Sequence, residues 1–503
     1  MNQELNSEHG AGATHAGGPG AGCPFHATGK QGDAAGASAG HEGGGAGGNV
    51  GHGGNPHLGG RDAAAGGGEA GNAGGLTRRQ FLGLAGWGAL TLGLAGGGFA
   101  LGRGAGTGGA AASGGAAGDI GQLRYPFRGV HQQGVLTPAQ QQMHTAAFDL
   151  TTKDRKKVIQ LLQDWTLAAE RMTNGDLVGD YTTSLHGPPA DTGETTDLGP
   201  AGLTITFGVG ATLFEKDGVD RYGLAAKMPK ALRDGIPPMA AEKIDPKLGG
   251  GDLVIQACSE DPMVNLHALH NLTRIAFGRA TMRWTQLGYG RTSSTSTAQA
   301  TPRNLFGFKD GTANIKAEEA KSELDSHLWI QPGDDQGDWA AGGTYLCARK
   351  IKMMMEVWDE LSLGEQERIV GRDKIYGAPL SGGGEFDTPD FKAEGTERTT
   401  SPAGLAIDPN SHVAQMHPDN NAGARMLRRG YNYLEGVDYL GRLDAGLFFI
   451  AFVRNPAESF IPVLARMKDD LLTEYIQHLS SAVYLVLPGL RDGEDYLGQK
   501  LFA

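Results

Sequence analysis

Residues 253–262 read Leu253-Val254-Ile255-Gln256-Ala257-Cys258-Ser259-Glu260-Asp261-Pro262. The first six form a short apolar run that predicts a strand over Leu253–Cys258. Asp261 suits a helix N-cap. Pro262 suits the first turn, where no backbone N–H is needed. Val264, Leu266, Leu269, Leu272 and Ile275 then recur at helical spacing, which extends the helix to about Gly278. Thr281–Leu287 reads as the next strand. Upstream, Ala146–Leu150 is a short strand candidate. Lys153–Met172 places Val158, Leu161, Leu162, Trp165, Ala169 and Met172 on one helical face. Leu203–Phe207 alternates Leu, Ile and Phe with threonine, the period of a strand. The order is βαββαβ.

The same order returns downstream. Gly343–Ile351 is a strand and Met354–Val370 is helical. Met426–Tyr433 and Gly446–Arg454 are strands. Asn455-Pro456 repeats the cap-and-proline signal, opening a helix and a second helical run to about His478. Ala482–Leu487 closes the unit. Two ferredoxin-like βαββαβ units predict an α+β fold, with two antiparallel sheets and helices on one face of each. The N-terminal unit spans 125–305 and the C-terminal unit 306–503. Insertions at about 210–250 and 371–425 are long enough to expect function or disorder in them.

Ahead of these units the composition changes. Of 83 glycines, 41 fall within the first 118 of 503 residues. Residues 1–76 are a Gly/His-rich leader without apolar period, which predicts disorder. Its histidines read as a spacer's or as a weak metal-binding tract. Residues 77–112 hold Thr77-Arg78-Arg79-Gln80-Phe81-Leu82, a Gly-rich apolar run to Leu101 and Ala110-Ala111-Ala112. This segment resembles a twin-arginine signal peptide with its cleavage site. It implies export to the periplasm or the outside of the cell, with no membrane attachment after cleavage. The remaining residues carry 39 Lys/Arg against 50 Asp/Glu. That acidic balance argues against a nucleic-acid partner. Cys23, Cys258 and Cys347 are too few for a disulfide framework and lack zinc or iron–sulfur spacing. Cys258 and Cys347 are expected as free buried thiols.

Three further segments bear on chemistry. Asn304-Leu305-Phe306-Gly307-Phe308-Lys309-Asp310-Gly311-Thr312-Ala313-Asn314 joins the two units, and its Asp-Gly alone reads as a turn. Asn410-Ser411-His412-Val413-Ala414-Gln415-Met416-His417-Pro418 lies in the second insertion, where a histidine alone reads as a surface residue. Leu427-Arg428-Arg429-Gly430-Tyr431-Asn432-Tyr433 alone reads as a solvated basic pair at a strand.

Together and in this order, within a duplicated frame, the three segments resemble the dye-decolourising (DyP-type) haem peroxidases, and among them the EfeB-like deferrochelatase/peroxidase subgroup. Gly129-Val130-His131-Gln132-Gln133-Gly134 and Leu443-Asp444-Ala445-Gly446-Leu447 are similar as well. The resemblance covers about residues 125–503. It implies a dimeric α+β barrel type of fold with haem b in the C-terminal unit. It makes His412 the proximal ligand of the haem iron, Asp310 the distal carboxylate, Arg428 the distal arginine and Glu474 the acid that orients His412. Two positions depart from the family pattern. Ala414 stands where the family often has an arginine expected to help bind haem. His417 stands where asparagine is common, which makes it a second candidate ligand.

The residue types suit peroxide chemistry. A neutral imidazole binds the iron from one side, and an acid on its other nitrogen makes it a stronger donor. An aspartate base, with an ordinary pKa of about 3.9, stays ionised in mild acid, so an acidic optimum is expected. Arginine keeps its proton and stabilises developing negative charge. Trp329 and Trp339, in a Gly/Asp-rich stretch, are candidates to relay electrons to bulky donors, or are packing residues. The implied activity is reduction of hydrogen peroxide with oxidation of dye-like or phenolic donors. The competing readings are release of iron from haem to leave protoporphyrin, and haem binding without turnover. A homo-oligomer and an iron-uptake system are partners the resemblance allows.

Overall fold

A computed structural model describes residues 119–179, 185–240 and 242–503. The leader and the twin-arginine segment lie outside the described residues. The N-terminal unit consists of strand β1 (Gln142–Leu150), helix Arg155–Thr173, β2 (Thr204–Val209), β3 (Leu253–Ser259), helix Pro262–Ala276 and β4 (Ala280–Arg291). Asp261 caps its helix as the sequence predicts, accepting from the Met263 N–H at 2.7 Å with Pro262 following, and Asp154 caps the first helix by accepting from the Lys156 N–H. These bonds satisfy N–H groups that a helix start leaves open.

The C-terminal unit carries β5 (Thr344–Met353), then β6 (Leu427–Arg428) and β7 (Tyr431–Val437), β8 (Leu443–Val453), β9 (Ile476–His478) and β10 (Ala482–Val486). β6 and β7 both pair with β8 and act as one interrupted strand. β9 and β10 do the same along β5. Each unit then shows the ferredoxin-like strand order, β4-β1-β3-β2 in the first and β7-β8-β5-β10 in the second. β4 pairs with β7 and β2 with β10, all antiparallel, so the two sheets close into one ring.

Strand alternation sorts the side chains. Met143, Val254, Cys258, Trp284, Leu346, Phe448 and Tyr484 fill the ring's interior. Phe148, Phe207, Ile255 and Cys347 face outward toward the helices. In the N-terminal unit both helices lie directly on the sheet. Trp165 is 1% exposed, sits 5.3 Å from Phe148 and 5.8 Å from Phe207 by ring centroids, and donates its indole N–H to Leu272 O at 2.8 Å. Burying each large apolar side chain of this face contributes roughly 1.5–3 kcal/mol. In the C-terminal unit the corresponding outward residues of β5 and β8, among them Ile351, Met353, Leu447 and Phe449, line a cavity instead.

Three sequence expectations need correction. The helical stretch Met354–Val370 divides into Met355–Asp359 and Leu363–Val370. Ser362 starts a new cap by accepting from the Glu365 N–H, and Gly371 ends the second helix at φ +88°. After Asn455-Pro456 the chain makes a turn, with Asn455 Oδ1 accepting from the Ala457 N–H, and the helix begins only at Phe460. It ends at Ala465, and 3₁₀ turns follow at Arg466–Asp469 and Leu471–Tyr475. His478 therefore lies on a strand rather than at a helix end.

Cys258 and Cys347 are free and buried, and burial pushes both thiols up. Trp329 is 3% exposed and stacks on His131 at 3.7 Å between ring centroids, so it is buried rather than at the surface. Trp339 packs against Phe214. Among the described residues no helix is long and apolar enough to cross a membrane.

Candidate functional site

The cavity between the C-terminal sheet and the helices around it has a volume of about 250 Å³. One water needs roughly 10–15 Å³ of it. Phe306, Phe308, Ile351, Met353, Leu447 and Phe449 make much of its wall apolar, and His412, Asp310 and Arg428 all line it.

His412 is the first residue of helix His412–Met416, whose cap, Ser411, is fully buried. The cap fixes where the helix starts, and with it where His412 sits. His412 Nδ1 lies 2.7 Å from Asp470 Oδ2. The Asp470 side chain has no accessible surface. That of His412 keeps 31%, where the ring borders the cavity although protein surrounds it deeply. Burial alone favours the neutral ring. The charge and hydrogen bond of Asp470 outweigh it and, with Asp310, hold the imidazole's pKa above its ordinary value, while Arg428 opposes them. With Nδ1 committed to Asp470, Nε2 is the nitrogen left for a ligand. The acid expected here, Glu474, is not the partner. It is exposed, on the 3₁₀ turn Leu471–Tyr475, whereas Asp470 caps that turn and also accepts from the Leu472 N–H at 2.8 Å.

Asp310 and Arg428 meet on the cavity wall, Arg428 Nη1 lying 3.4 Å from Asp310 Oδ1. Gly311, at φ +81°, makes this turn possible, because a Cβ there would come within 2.9 Å of Ser293 Cα. Asn304 Nδ2 donates to Asp310 Oδ2 at 3.3 Å, and its Oδ1 accepts from the Phe306 and Phe308 N–H groups. Asn314 grips the backbone of Arg428 at two points. The Asp310–Arg428 pair is thus held by the two asparagines that bound the Asn304–Asn314 segment. Their type was visible in the sequence, but their roles were not.

The neighbouring arginine has another task. Arg429 is fully buried and donates to Thr137 O and Gln140 Oε1, which ties the strand to the segment before β1. His417 also borders the cavity, but its Nδ1 accepts from the Asp419 N–H at 3.3 Å. Burial lowers its pKa. No carboxylate takes the role for His417 that Asp470 takes for His412, since Asp419 Oδ2 is 3.6 Å away on a mostly exposed side chain. Ala414 is buried and presents no charge. Two further cavity residues, Arg349 and His478, have buried nitrogens with no partner. No local pattern marked either in the sequence.

The Dyp-type peroxidase C-terminal family model matches residues 301–491, and the N-terminal one residues 132–290. Two curated relatives named deferrochelatase, from Escherichia coli and Shigella sonnei, are 34% identical over 387 residues, 76% of this chain and 88% of theirs. Among solved structures, ferric DtpA from Streptomyces lividans is 36% identical at a TM-score of 0.67, covering 76% of this chain and 98% of that one. A DyP-type peroxidase from Cellulomonas bogoriensis is 34% identical at a TM-score of 0.65, covering 76% and 99%.

Proposed function

The chain belongs to the Dyp-type peroxidase family and is a haem-dependent peroxidase; from that premise we propose that His412 ligates the haem iron and that Asp310 and Arg428 handle the peroxide. One observation carries this assignment. A histidine braced by a buried carboxylate, and an aspartate–arginine pair, line one largely apolar cavity.

The residues fit haem. A metal-ligating histidine ordinarily donates its other ring N–H to an acid, which fixes the ring and makes it a stronger donor, and Asp470 does this for His412. The apolar wall suits the macrocycle, and unpartnered cationic nitrogens suit its carboxylates. Bound haem supplies the iron at which peroxide is cleaved and through which electrons from a donor are taken up.

The protein's share is proton handling and charge. Asp310, as a carboxylate, accepts the proton of the peroxide oxygen that stays behind and returns it to the oxygen that leaves, so that water departs. Asn304 keeps one carboxylate oxygen oriented while it does so. Arg428 stabilises the negative charge that develops as the O–O bond lengthens, and it does so without being able to take up the proton itself. Dye-like or phenolic compounds then serve as electron donors.

Replacement of Asp310 by Asn and of Arg428 by Leu tests the assignment. Each is expected to lower peroxide turnover by roughly 10²–10³ with haem retained. Unchanged turnover in both would overturn it.

A second reading rests on the relatives named deferrochelatase. In it haem is a substrate that leaves as protoporphyrin plus iron. Porphyrin fluorescence from the haem-loaded protein under reducing conditions decides for or against it. Export is proposed from Arg78-Arg79 and the apolar run behind them. Replacing both arginines by Lys is expected to keep the protein in the cytoplasm, as read by cell fractionation.

A further inference from the structure

Arg349 is 1% exposed, projects from β5 and lines the cavity. Its Nη1 is paired with Glu242, whose side chain is 7% accessible. Its Nε and Nη2 have no partner. Those two nitrogens form one edge of the guanidinium, the side-on fork whose parallel N–H bonds match a carboxylate. So one end of the cation is neutralised and one complete fork is left open. His478 stands beside it, on β9 opposite Ile351, with both ring nitrogens buried and unpartnered. Its pKa falls to about 4, from burial first and then from the nearby Arg349 charge.

Leaving a buried N–H without an acceptor costs roughly 1–3 kcal/mol, more for a charged group. Two adjacent side chains in that condition on a cavity wall indicate an acceptor from a ligand. Glu242 is itself held in place. Its Oε2 accepts from the Met239 N–H at 3.0 Å, and the chain just after it pairs with the β9–β10 link, Lys243 N to His478 O at 3.0 Å and Asp245 N to Leu479 O at 2.9 Å. The insertion of the N-terminal unit thereby orients a cation in the C-terminal cavity. Ala414, on the helix that carries His412 and where the family often places an arginine, offers no charge, and the cation on this cavity wall comes instead from strand β5.

We propose that the open Nε/Nη2 fork of Arg349, with His478, holds one carboxylate of the bound haem, and that Glu242 is the positioning residue that turns the fork toward it. This rests on the haem reading above. A free carboxylate, such as an aromatic acid brought as electron donor, has the same chemistry and is the alternative source.

The test is absorbance titration of the full chain with haem and with haem dimethyl ester, which lacks both carboxylates. It is run for the wild type, Arg349→Leu, Arg349→Lys and Glu242→Gln. The wild type should prefer haem over the ester. In Arg349→Leu that preference should fall about 10- to 100-fold, the scale of one charge-assisted pair. Arg349→Lys keeps the charge, guards against a misfolded Leu variant and should lose part of the preference. Glu242→Gln should lower it without abolishing haem binding. A purely structural role would weaken haem and ester alike and leave their ratio unchanged, which overturns the proposal. A second arm adds benzoate to the haem-loaded protein. A change in the haem band that depends on Arg349, together with an unchanged ratio, assigns the fork to a free carboxylate and also overturns it. Failure of the wild type to bind either compound sinks the haem reading itself and not merely this anchor.

Discussion

Asn314 holds the backbone of Arg428 from both sides, donating its amide N–H to Arg428 O at 2.8 Å and accepting the Arg428 N–H at 2.7 Å. The two residues are 114 positions apart. The same amide also donates to Ser294 O at 3.0 Å. One 3%-exposed side chain thus places the strand from which the arginine reaches Asp310.

Replacing Asn314 by Leu removes all three bonds and leaves the Arg428 backbone groups unpaired. At roughly 1–3 kcal/mol for each buried group left open, the melting temperature should fall by several degrees. Peroxide turnover should fall at least about tenfold, because the Arg428–Asp310 distance is no longer held. Haem binding should survive. Stopped-flow peroxide kinetics beside a haem titration separate the two effects, and equal losses in both would contradict this role.

Asp470, not Glu474, is the acid on His412. Asp470→Asn should weaken haem affinity or turnover by roughly 10–100-fold, the usual cost of losing a ligand's hydrogen-bonded partner. Glu474→Gln should change neither. The reverse ranking would return the role to Glu474.

The two histidines of the second insertion should separate cleanly. His412→Ala is expected to abolish the histidine-ligated haem spectrum. His417→Ala should retain it, since His417 has no buried acid behind it and packs against Phe391 at 5.2 Å between ring centroids. Adding imidazole should restore a ligated spectrum to His412→Ala only.

His144 gives the fold a dependence on acid. It is 8% exposed, its Nδ1 has no partner, and burial lowers its pKa to about 4. The folded value lies below the ordinary one of about 6.5. Between those two pH values the unfolded chain therefore binds the extra proton, and stability falls as pH falls from about 6.5 toward 4. The loss is on the order of 3 kcal/mol at most. Urea midpoints at pH 7 and pH 4.5 should differ less in His144→Asn than in the wild type.

Much of this architecture is legible along the chain. Apolar period, the cap at Asp261 and the two-fold βαββαβ order depend on residues a few positions apart, so the sequence determined them. His412, Asp310 and Arg428 stood out by residue type and order. Helix ends that hinge on a weak local signal were less legible, as the late start at Phe460 shows.

What only the tertiary structure decided involves partners far apart or a choice among near neighbours. The joins β4–β7 and β2–β10 that close the ring come from strand edges whose hydrogen-bonding needs any edge could meet. Asp470 and Glu474 lie four residues apart, and the 3₁₀ turn at Leu471–Tyr475 determines which carboxylate faces the ring of His412. Asn314 reaches Arg428 across 114 residues, and Glu242 reaches Arg349 across 107. A sequence states which side chains can donate and accept. Only the closed barrel, by bringing those segments within 3 Å or so of one another, determines which of them do.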